Sequence, residues 1–300
     1  MPINHSNYPL VSVIVNCYNG ETYLRDSIKS ILNQSYKNFE IIFWDNQSND
    51  QSANIFKTFK DNRLKYYYAK RHTSLYEARN LAIKKSQGEY IAFLDVDDLW
   101  TKNKLSLQIK KFKDDKIFLV YSNYYILNQV TGSKKIFYKK KLPEGIIYKE
   151  LLSYYFLGLG TVVIRKDFLK KNKIFNKQYN IIGDFDFFTK TSRYFHFSCI
   201  QTPLLIYRVH KNSFSNKNYK MHINELKIWL KKQNMFEHEM LYFVEQKVFY
   251  MEAILDIFRK KYILSLKKIF KIHSLRKKIN IIIFLLIPNF IFKKLKTNFS

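Results

Sequence analysis

The chain has 300 residues, and its 52 lysines and arginines against 24 aspartates and glutamates give a formal net charge of +28. Such a charge implies an anionic partner, which is a nucleic acid, an anionic membrane surface or a phosphorylated substrate. The length suits one large domain or one and a half, no stretch reaches the ~18–20 apolar residues that a membrane-spanning helix needs, and residues 1–9 lack the apolar run of a secretory signal.

Alternating strands and helices are predicted over the first third of the chain. Apolar runs that stop at polar turns predict strands, and apolar residues at helical spacing predict the helices between them. The strands are expected at residues 10–15, 39–44, 64–68 and 90–94, and the helices at 24–32, 55–59 and 75–87, the last one capped by Gly88. This alternation with short links predicts a mostly parallel α/β sheet flanked by helices, as in a Rossmann-like half.

Polar clusters follow three of these strands, at residues 16–20, 45–50 and 95–98. Because ligands bind outside the carboxyl ends of strands in an open α/β sheet, we expect the three clusters to meet at one site. Asp95 and Asp97 provide carboxylates that would hold a hard divalent cation and its phosphates. The alternative is that these aspartates start a turn or cap a helix, a role that suits Asp98 in particular.

The rest of the chain is predicted to contain further strands and a helical end. Strands are expected at residues 117–121, 123–127, 161–164 and 204–207, with a turn at 129–133 and a helix that begins at Gly183. From about Lys220 onward only helices are expected. The sequence has neither a Gly-x-Gly-x-x-Gly after the first strand nor a phosphate-loop Gly-Lys-Ser/Thr, which argues against a dinucleotide oxidoreductase and a phosphate-loop NTPase.

Residues 10–215 resemble a family 2 glycosyltransferase with the GT-A fold, because motifs of that family occur in the family's order. They are Tyr18-Asn19 with Glu21, Asp45-Asn46-Gln47-Ser48-Asn49-Asp50, Ala78-Arg79-Asn80, Asp95-Val96-Asp97, Gly183-Asp184 and Tyr207-Arg208-Val209-His210. The sequence departs from the family pattern at Asn16-Cys17, where a Pro or Thr is usual, at Asn46 and Gln47, which replace Asp and Gly, and at Gly183, which replaces Glu.

The resemblance implies an inverting, metal-dependent glycosyltransferase. It would transfer a sugar from a nucleotide-diphosphate donor, with UDP as the nucleotide, to a hydroxyl of a glycan or lipid-linked acceptor in cell-surface polysaccharide biosynthesis. Asp45 would accept from the ring N–H of a uracil-like base, with Asn16 and Tyr18 beside it, and Arg79 would contact the nucleotide. The alternatives are that Asp45 caps a helix and that Arg79 is a solvated charge on a helix surface. The further nucleotide-sugar residues implied are Glu21, Asn46, Asp95 and Val96.

By the same resemblance, Asp97 and Asp95 would hold Mg²⁺ or Mn²⁺ as a Lewis acid on the leaving diphosphate, with His210 as a third contact to metal or diphosphate. An inverting displacement also needs a carboxylate that takes the proton of the acceptor hydroxyl. For this base we predict Asp184, with Asp186 in reserve. The alternatives are that both aspartates only satisfy the dipole at the N-terminus of a helix and that His210 is an ordinary surface or core histidine.

Two domains are predicted, a GT-A catalytic domain at residues 1–217 and a helical C-terminal extension at 218–300. The apolar segment 279–292 is too short to span a bilayer, and an interfacial helix or hairpin on an anionic membrane surface is predicted for it. The alternative is a last core helix followed by a charged end. With the family resemblance, this predicts a cytoplasmic protein that is peripheral at the inner membrane. The basic residues that flank the segment are Arg276, Lys277, Lys278, Lys293, Lys294 and Lys296.

Two other classes of protein stay open at this point. The charge alone would suit a basic nucleic-acid-binding protein, but no nucleic-acid motif occurs and acidic residues cluster where a groove would lie, so no nucleic-acid partner is expected. A catalytically silent, membrane-associated scaffold of the same fold would share these sequence features. Stabilisation by a nucleotide sugar and Mn²⁺ is the observation that separates it from an enzyme.

Overall fold

The computed structural model of the chain describes residues 9–170, 174–211 and 213–286. The strands are β1 Val11–Cys17, β2 Phe39–Asp45, β3 Leu64–Tyr68, β4 Tyr90–Phe93, β5 Leu99–Trp100, β6 Ile117–Asn128, β7 Lys134–Ile136, β8 Val163–Arg165 and β9 His196–Val209. The α-helices are α1 Glu21–Leu32, α2 Ser52–Lys57, α3 Leu75–Ile83, α4 Lys104–Ile109, α5 Tyr148–Ser153, α6 Lys166–Lys170, α7 Gly183–Thr191, α8 Phe214–Lys217, α9 Tyr219–Lys231, α10 His238–Phe258, α11 Tyr262–Ile269 and α12 Leu275–Leu286. The predicted alternation of β1 to β4 with α1 to α3 is confirmed.

The strands form one sheet in the order β3-β2-β1-β4-β8-β6-β9-β5, with β7 paired to β6. The strands β3, β2, β1 and β4 run parallel to one another, as predicted. Beyond them, β8 pairs antiparallel with both β4 and β6, and β5 pairs antiparallel with β9. The sheet is therefore parallel where strands and helices alternate and mixed as a whole. The antiparallel strands could not be predicted, because an apolar run in the sequence indicates a strand without giving its direction.

The strands β1 and β2 are buried along their whole length, which explains their continuous apolar sequences. One face of the sheet packs Val13 and Phe43 against Leu24 and Ile28 of α1, and α3 also packs against β1 and β2. Each buried aliphatic or aromatic side chain contributes about 1.5–3 kcal/mol. This packing fixes the carboxyl ends of β1, β2 and β4, from which the polar clusters extend.

Gly88 has a different role from the predicted helix cap. The helix α3 ends at Ile83, four residues earlier than expected, and Gly88 lies where the chain passes close to β1. A Cβ atom at Gly88 would be 2.6 Å from both the carbonyl oxygen of Leu10 and the amide nitrogen of Ser12. A glycine is therefore required here by close backbone approach and not by helix termination.

The turn predicted at residues 129–133 is confirmed, because it joins β6 to β7 in an antiparallel hairpin. The two strands predicted at 117–121 and 123–127 are one continuous strand, β6. Ser122, which separated the two predicted strands, is buried within it, as is Asn123. The Asn123 side chain donates to the carbonyl of Tyr138 at 2.8 Å, so its polar group is satisfied without breaking the strand.

The chain divides into two compact units. The first consists of Met1–Leu127, Ser133–Tyr148 and Phe156–Arg208, and the second of Asn128–Gly132, Lys149–Tyr155 and Val209–Ser300. The first unit contains the sheet except for the last residues of β6 and β9. The second contains α8 to α12.

The second unit has its own apolar core, in which α10 packs against α9, α11 and α12. The apolar segment predicted at 279–292 is only partly described, because residues 287–300 lie outside the described ranges. Its first part is α12, which buries Ile281 and Phe284 in the core of the unit and leaves Ile282 and Leu286 exposed. No helix in the part of the chain that the structure describes has the length and apolar character to cross a bilayer.

Candidate active site

The polar loops after β1 and β2 are joined by a set of hydrogen bonds. The Glu21 carboxylate accepts from the amide of Gln51 at 2.8 Å, and the Asp50 carboxylate accepts from the amide of Glu21 at 3.0 Å. Asn19, which has a positive φ of 54°, accepts from the amide of Asn49 at 2.9 Å. The polar clusters after β1 and β2 are therefore hydrogen-bonded to each other at the carboxyl edge of the sheet, and Glu21 takes part in two of these hydrogen bonds.

Asp45 lies at the end of β2 and is wholly buried. Its carboxylate accepts from the amide of Ser48 at 2.7 Å and from the hydroxyl of Tyr66 at 2.8 Å. Burial and the neighbouring Asp45 carboxylate raise the pKa of Tyr66, which keeps that hydroxyl a donor. Asp45 therefore holds the turn that follows β2, and it does not cap a helix, because α2 begins only at Ser52 and has Gln51 as its N-cap.

Asn46 connects the loop after β2 to the segment before α3. Its side-chain amide donates to the carbonyl of Thr73 at 2.9 Å and accepts from the amide of Thr73 at 3.2 Å. The backbone carbonyl of Asn46 lies 2.9 Å from Nδ1 of His72, and the His72 ring contacts the ring of Tyr18 with 4.5 Å between centroids. Tyr18 remains 54% exposed, so this cluster presents an aromatic ring to solvent.

Asn16, at the end of β1, offers an unused hydrogen-bond donor. The residue is buried, and its Nδ2 has no acceptor among the residues that the structure describes. Buried amide groups are nearly always paired with protein, water or ligand. This donor is therefore suited to an acceptor atom of a bound molecule.

The Asp-x-Asp loop after β4 packs against the loop after β1. A Cβ atom at Gly20 would lie 2.8 Å from Cγ2 of Val96, so Val96 fits only against a glycine. The hydroxyl of Ser27 on α1 donates to the carbonyl of Asp95 at 3.3 Å. All three polar clusters are thereby brought together at one edge of the sheet, as the sequence predicts.

Asp98 does not cap the next helix, because β5 follows it and α4 begins only at Lys104. Its buried carboxylate accepts from the backbone amide of Arg208 at 2.9 Å, which ties the Asp-x-Asp loop to β9. Burial and the negative charges of Asp97 and Asp95 raise the pKa of the Asp98 carboxyl well above its ordinary value.

Arg79 is buried, which rules out the alternative of a solvated helix charge. Its guanidinium donates to Oδ1 of Asp95 at 2.6 Å and lies 4.9 Å from the centre of the Tyr76 ring. Burial acts to lower the pKa of Arg79, but the Asp95 carboxylate acts in the opposite direction and the pKa is raised above its ordinary value. The side chain of Asp95 is 41% exposed, so in this ion pair the arginine is buried and the aspartate is accessible to solvent.

Tyr76 extends this contact to α7. Its hydroxyl donates to Oδ1 of Asp184 at 2.7 Å. We call Asp95, Arg79, Tyr76 and Asp184 the α3 connection, because its two middle residues belong to α3 and join the Asp-x-Asp loop to the start of α7. Asp186 is outside it, since that residue is buried and forms an ion pair with Lys190 at 2.5 Å.

The start of α3 is held firmly to the segment that leads into α7. The side chain of Asn80 donates to the carbonyl of Phe175 at 2.8 Å and accepts from its amide at 3.1 Å. The side chain of Asn180 accepts from the amide of Leu75 at 3.2 Å. These bonds fix the position of Asp184 relative to α3.

The residues present fit a divalent cation that shares its ligands with a bound diphosphate. Mg²⁺ is commonly held by one or two carboxylates plus substrate phosphates, and Asp95 and Asp97 are two partly exposed carboxylates on one loop. No three Asp, Glu, His or Cys side chains within residues 9–170, 174–211 and 213–286 group closely enough to hold a metal alone. His210 belongs to the second unit, where its amide donates to the hydroxyl of Ser213 at 3.4 Å.

Sequence reasoning missed Tyr66, His72 and Tyr76 as members of the site. None of them is a charged residue at a strand end, which was the signal used to find the others. Tyr76 and His72 are close in sequence to the Ala-Arg-Asn motif, and only the fold shows that their side chains contact Asp184 and Tyr18.

A family model described as "Glycosyl transferase family 2" matches residues 12–191 of this chain. The chain is 37% identical over 160 residues to an Escherichia coli protein named "UDP-Glc:alpha-D-GlcNAc-diphosphoundecaprenol beta-1,3-glucosyltransferase WfgD". That match covers 53% of this chain and 62% of the relative, less than two thirds of the relative's length.

Three solved structures, of two proteins, have a similar fold. A crystal structure of TarS 1–349 from S. aureus matches with a TM-score of 0.63 and 20% identity, over 83% of this chain and 74% of that one. The same protein in complex with UDP-GlcNAc matches with a TM-score of 0.60 at 19% identity, over 80% of this chain and 72% of that one. PcManGT from Pyrobaculum calidifontis, in complex with GDP-Man and Mn²⁺, matches with a TM-score of 0.61 at 15% identity, over 91% and 78%. These matches confirm the predicted α/β fold.

Proposed function

The chain belongs to glycosyltransferase family 2 and has the GT-A fold, and from that premise we propose that it transfers a sugar from a nucleotide-diphosphate donor to an acceptor hydroxyl with inversion. The observation that carries the proposal is the α3 connection, which joins the carboxylate expected near the diphosphate to the one expected near the acceptor. Aspartates that only capped turns and helices would need no buried arginine and tyrosine between them.

The nucleotide would bind where the loops after β1 and β2 meet. Tyr18 presents an exposed ring there, and the unpaired donor of Asn16 suits a carbonyl oxygen of a base. The proposed contact of Asp45 with a uracil ring N–H requires the turn at Ser48 to move, because the carboxylate is wholly buried in this conformation. The residues proposed to hold these loops in register are Glu21, Asn46 and Val96.

The diphosphate would lie beside the Asp-x-Asp loop. We propose that Asp97 and the exposed oxygen of Asp95 hold Mg²⁺ or Mn²⁺. When bound, the ion neutralises the charge that develops on the departing diphosphate. Arg79 fixes the other oxygen of Asp95, which orients the carboxylate before the donor arrives.

Asp184 is proposed as the base, with Asp186 in reserve. The acceptor hydroxyl oxygen attacks the anomeric carbon and its proton passes to the Asp184 carboxylate. The bond between that carbon and the phosphate oxygen breaks, and the nucleoside diphosphate leaves with the electron pair. Asp184 is in the first turn of α7, where the helix dipole favours its ionised form, and a base must be ionised to accept the proton.

The substrates are proposed from the printed names of the relatives. WfgD is named for a UDP-glucose donor and a diphosphoundecaprenol-linked acceptor, and TarS was crystallised with UDP-GlcNAc. We therefore propose a UDP-sugar donor and a glycan or lipid-linked acceptor in cell-surface polysaccharide biosynthesis. The GDP-Man complex of PcManGT makes GDP-sugars the natural comparison in any assay.

The test is donor turnover and binding with a panel of UDP- and GDP-sugars, with and without Mn²⁺. We expect one donor class to raise the melting temperature, with a larger rise in Mn²⁺, and to be turned over by the wild type. Asp97→Asn should keep the melting temperature of the wild type without ligand and lose both turnover and the Mn²⁺ effect. No rise in melting temperature with any nucleotide sugar would refute the proposal and favour the silent scaffold, and donor binding without any turnover of the donor would refute the transfer activity.

Membrane association is the second part of the proposal, and the exposed apolar side chains of α11 and α12 support it. Phe270 is 83% exposed, Ile263 72% and Leu275 70%, which is unusual for large apolar residues so close together in sequence. Further exposed apolar residues are Leu264, Leu266, Ile279, Ile282, Ile283 and Leu286. Exposed or half-buried basic residues among them are Lys260, Lys261, Lys267, Arg276 and Lys278.

Apolar side chains interspersed with lysines suit the interface of an anionic bilayer, where the former enter the acyl boundary and the latter contact lipid phosphates. We propose a location at the cytoplasmic face of the inner membrane, with the helical extension at residues 218–300 in contact with lipid and a catalytic domain at 1–217. Co-sedimentation with phosphatidylglycerol vesicles tests this. Phe270→Ser combined with Leu275→Ser should weaken binding, whereas Tyr194→Ser, at another residue that is 61% exposed, should not. Equal binding of all three proteins would contradict it.

A further inference from the structure

Gly183 and Tyr76 fit together so closely that each restricts the other. A Cβ atom at Gly183 would lie 2.5 Å from two carbon atoms of the Tyr76 ring, a distance that no side chain tolerates. The ring therefore rests directly on the backbone at the start of α7. Gly183 is also the position at which the sequence has no carboxylate although the family resemblance leads one to expect Glu.

The hydroxyl of the same ring donates to Asp184, the next residue of α7, at 2.7 Å. Tyr76 is 2% exposed, so its ring does not reach a substrate. The ring also faces the Arg79 guanidinium, which lies 4.9 Å from the ring centre. The tyrosine thus fills the space that a side chain at residue 183 would need and supplies a hydrogen-bond donor to the carboxylate beside it.

We propose that Tyr76 is a positioning residue for Asp184, and that the pair Tyr76 and Gly183 stands in for the acidic residue that this chain lacks at position 183. The inference rests on the proposed function of Asp184 as the base. A glutamate at 183 would add a second negative charge beside Asp184. The tyrosine adds a neutral donor in its place, which orients the carboxylate without repelling it.

The hydrogen bond has a consequence for the protonation of Asp184. A donor to the ionised form of a carboxylate lowers the pKa of that carboxyl, so loss of the Tyr76 hydroxyl should raise the pKa of Asp184. Burial and the charge of Asp184 raise the pKa of Tyr76 well above its ordinary value, so the phenol remains the donor. Other charged groups on these two elements are Arg79 on α3, which lies 4.9 Å from the centre of the Tyr76 ring, Glu77 on α3, which pairs with Arg71, and Asp186 on α7, which pairs with Lys190.

The first experiment removes only the hydroxyl. Tyr76→Phe keeps the ring against Gly183, and we expect a folded protein in which the pKa of Asp184, read by carbon-13 NMR titration of the aspartate carboxyls, rises measurably. The acid limb of the pH profile for kcat should move up by the same amount while KM for the donor stays unchanged. Tyr121→Phe is the matched control, because it removes an equally buried hydroxyl that donates to Pro143 at 2.5 Å, and it should leave both readouts at wild-type values.

An unchanged Asp184 titration in Tyr76→Phe would overturn the inference. That readout needs no turnover, so it stands apart from the proposed function. If the NMR shift appears but Asp184→Asn retains full transfer activity, the positioning is real and the assignment of Asp184 as the base is wrong.

The second experiment tests the steric pairing. Gly183→Ala should lower the melting temperature strongly, because its new methyl group meets the Tyr76 ring, and Tyr76→Ser should lower it by leaving a cavity. The double variant should be more stable than the sum of the two single losses, since the serine makes room for the methyl group. Simple additivity of the two losses would show that the residues do not share this space and would contradict the pairing.

Discussion

Asp184 and Asp186 are two residues apart on α7, yet they have different partners. Asp184 accepts from Tyr76 and belongs to the α3 connection, whereas Asp186 is buried and paired with Lys190 at 2.5 Å. An aspartate already neutralised by a lysine is a poor base, because its charge is engaged in the ion pair. The sequence predicts both aspartates at the start of a helix, and it does not indicate which of them is paired with a lysine.

The two carboxylates can be distinguished by paired substitutions. We expect Asp184→Asn to lower kcat by about 10²–10⁴-fold, the usual effect of removing a general base, with little change in melting temperature. Asp186→Asn should lower the melting temperature and leave kcat within a few fold, because it leaves Lys190 without its partner. Steady-state kinetics and thermal unfolding of both variants provide the check. A large loss of kcat in Asp186→Asn alone would reverse the assignment.

Lys104 makes the stability of the protein depend on pH. The residue is wholly buried, its ammonium group donates to Gln108 at 2.6 Å, and it lies 4.3 Å from the centre of the Trp100 ring. Burial holds the pKa of Lys104 well below its ordinary value of 10.5. The folded protein therefore releases this proton at a lower pH than the unfolded chain does.

Between the folded and the unfolded pKa the unfolded chain binds more protons, so the contribution of Lys104 to stability is fully present above about pH 10.5 and is lost as the pH falls through the folded pKa. We expect the wild type to gain stability relative to Lys104→Met as the pH rises from 7 to 10. Urea midpoints at several pH values measure this difference. Lys102→Met, at an exposed neighbour, is the control and should show no such trend; parallel curves for the wild type and Lys104→Met would contradict the argument.

At the residue scale, the sequence was informative wherever a charge follows a strand. Asp45, Asp95 and Asp97 were predicted in this way, and the fold brings their loops together at one edge of the sheet. The sequence could not indicate that Asp45 is wholly buried or that Arg79 reaches Tyr76. Those facts depend on which elements pack together, and a single sequence carries no direct record of contacts between distant residues.

At the scale of elements, the connection between α3 and β4 has room only for a glycine at residue 88. Gly88 passes β1 so closely that a methyl group would contact two backbone atoms at 2.6 Å. We expect Gly88→Ala to destabilise the protein by about 1–3 kcal/mol, since backbone atoms cannot move aside as side chains do.

Gly158→Ala is the matched control for Gly88→Ala, because a Cβ at Gly158 has only ordinary contacts at 3.7 Å and φ is −96°. We expect it to be neutral or slightly stabilising. Chemical denaturation of both variants measures the difference. Equal stability of Gly88→Ala and the wild type would mean that the chain at this point is free to shift.

Whether a strand could be predicted from the sequence depended on how its side chains are buried in the sheet. The strands β1, β2 and β4 were predicted because parallel strands covered on both faces have continuous apolar sequences. By contrast, β5 has two residues and was missed, since so short a run carries no period. The strand β9 begins eight residues before its predicted start, at His196, because its first half mixes polar and apolar residues in no clear alternation.

For the molecule as a whole, the charge of +28 and the exposed apolar residues of the second unit make different contributions to membrane binding. Attraction between lysines and lipid phosphates is screened by salt, with a Debye length of about 8 Å at physiological ionic strength. Entry of apolar side chains into the acyl boundary is not screened in this way. A nucleic acid offers the first contribution without the second, so salt separates the two kinds of partner.

We therefore expect binding to phosphatidylglycerol vesicles to weaken between low and physiological salt and then to level off, because the apolar contribution remains. The combined variant Phe270→Ser with Leu275→Ser should bind at low salt and lose binding at high salt. Duplex DNA should bind the wild type only at low salt, since its non-specific affinity falls steeply as counterions compete. Co-sedimentation and a DNA shift assay across a salt series measure all three. Duplex binding that persists at physiological salt, with vesicle binding that does not, would identify the charge as a nucleic-acid surface and contradict the membrane proposal.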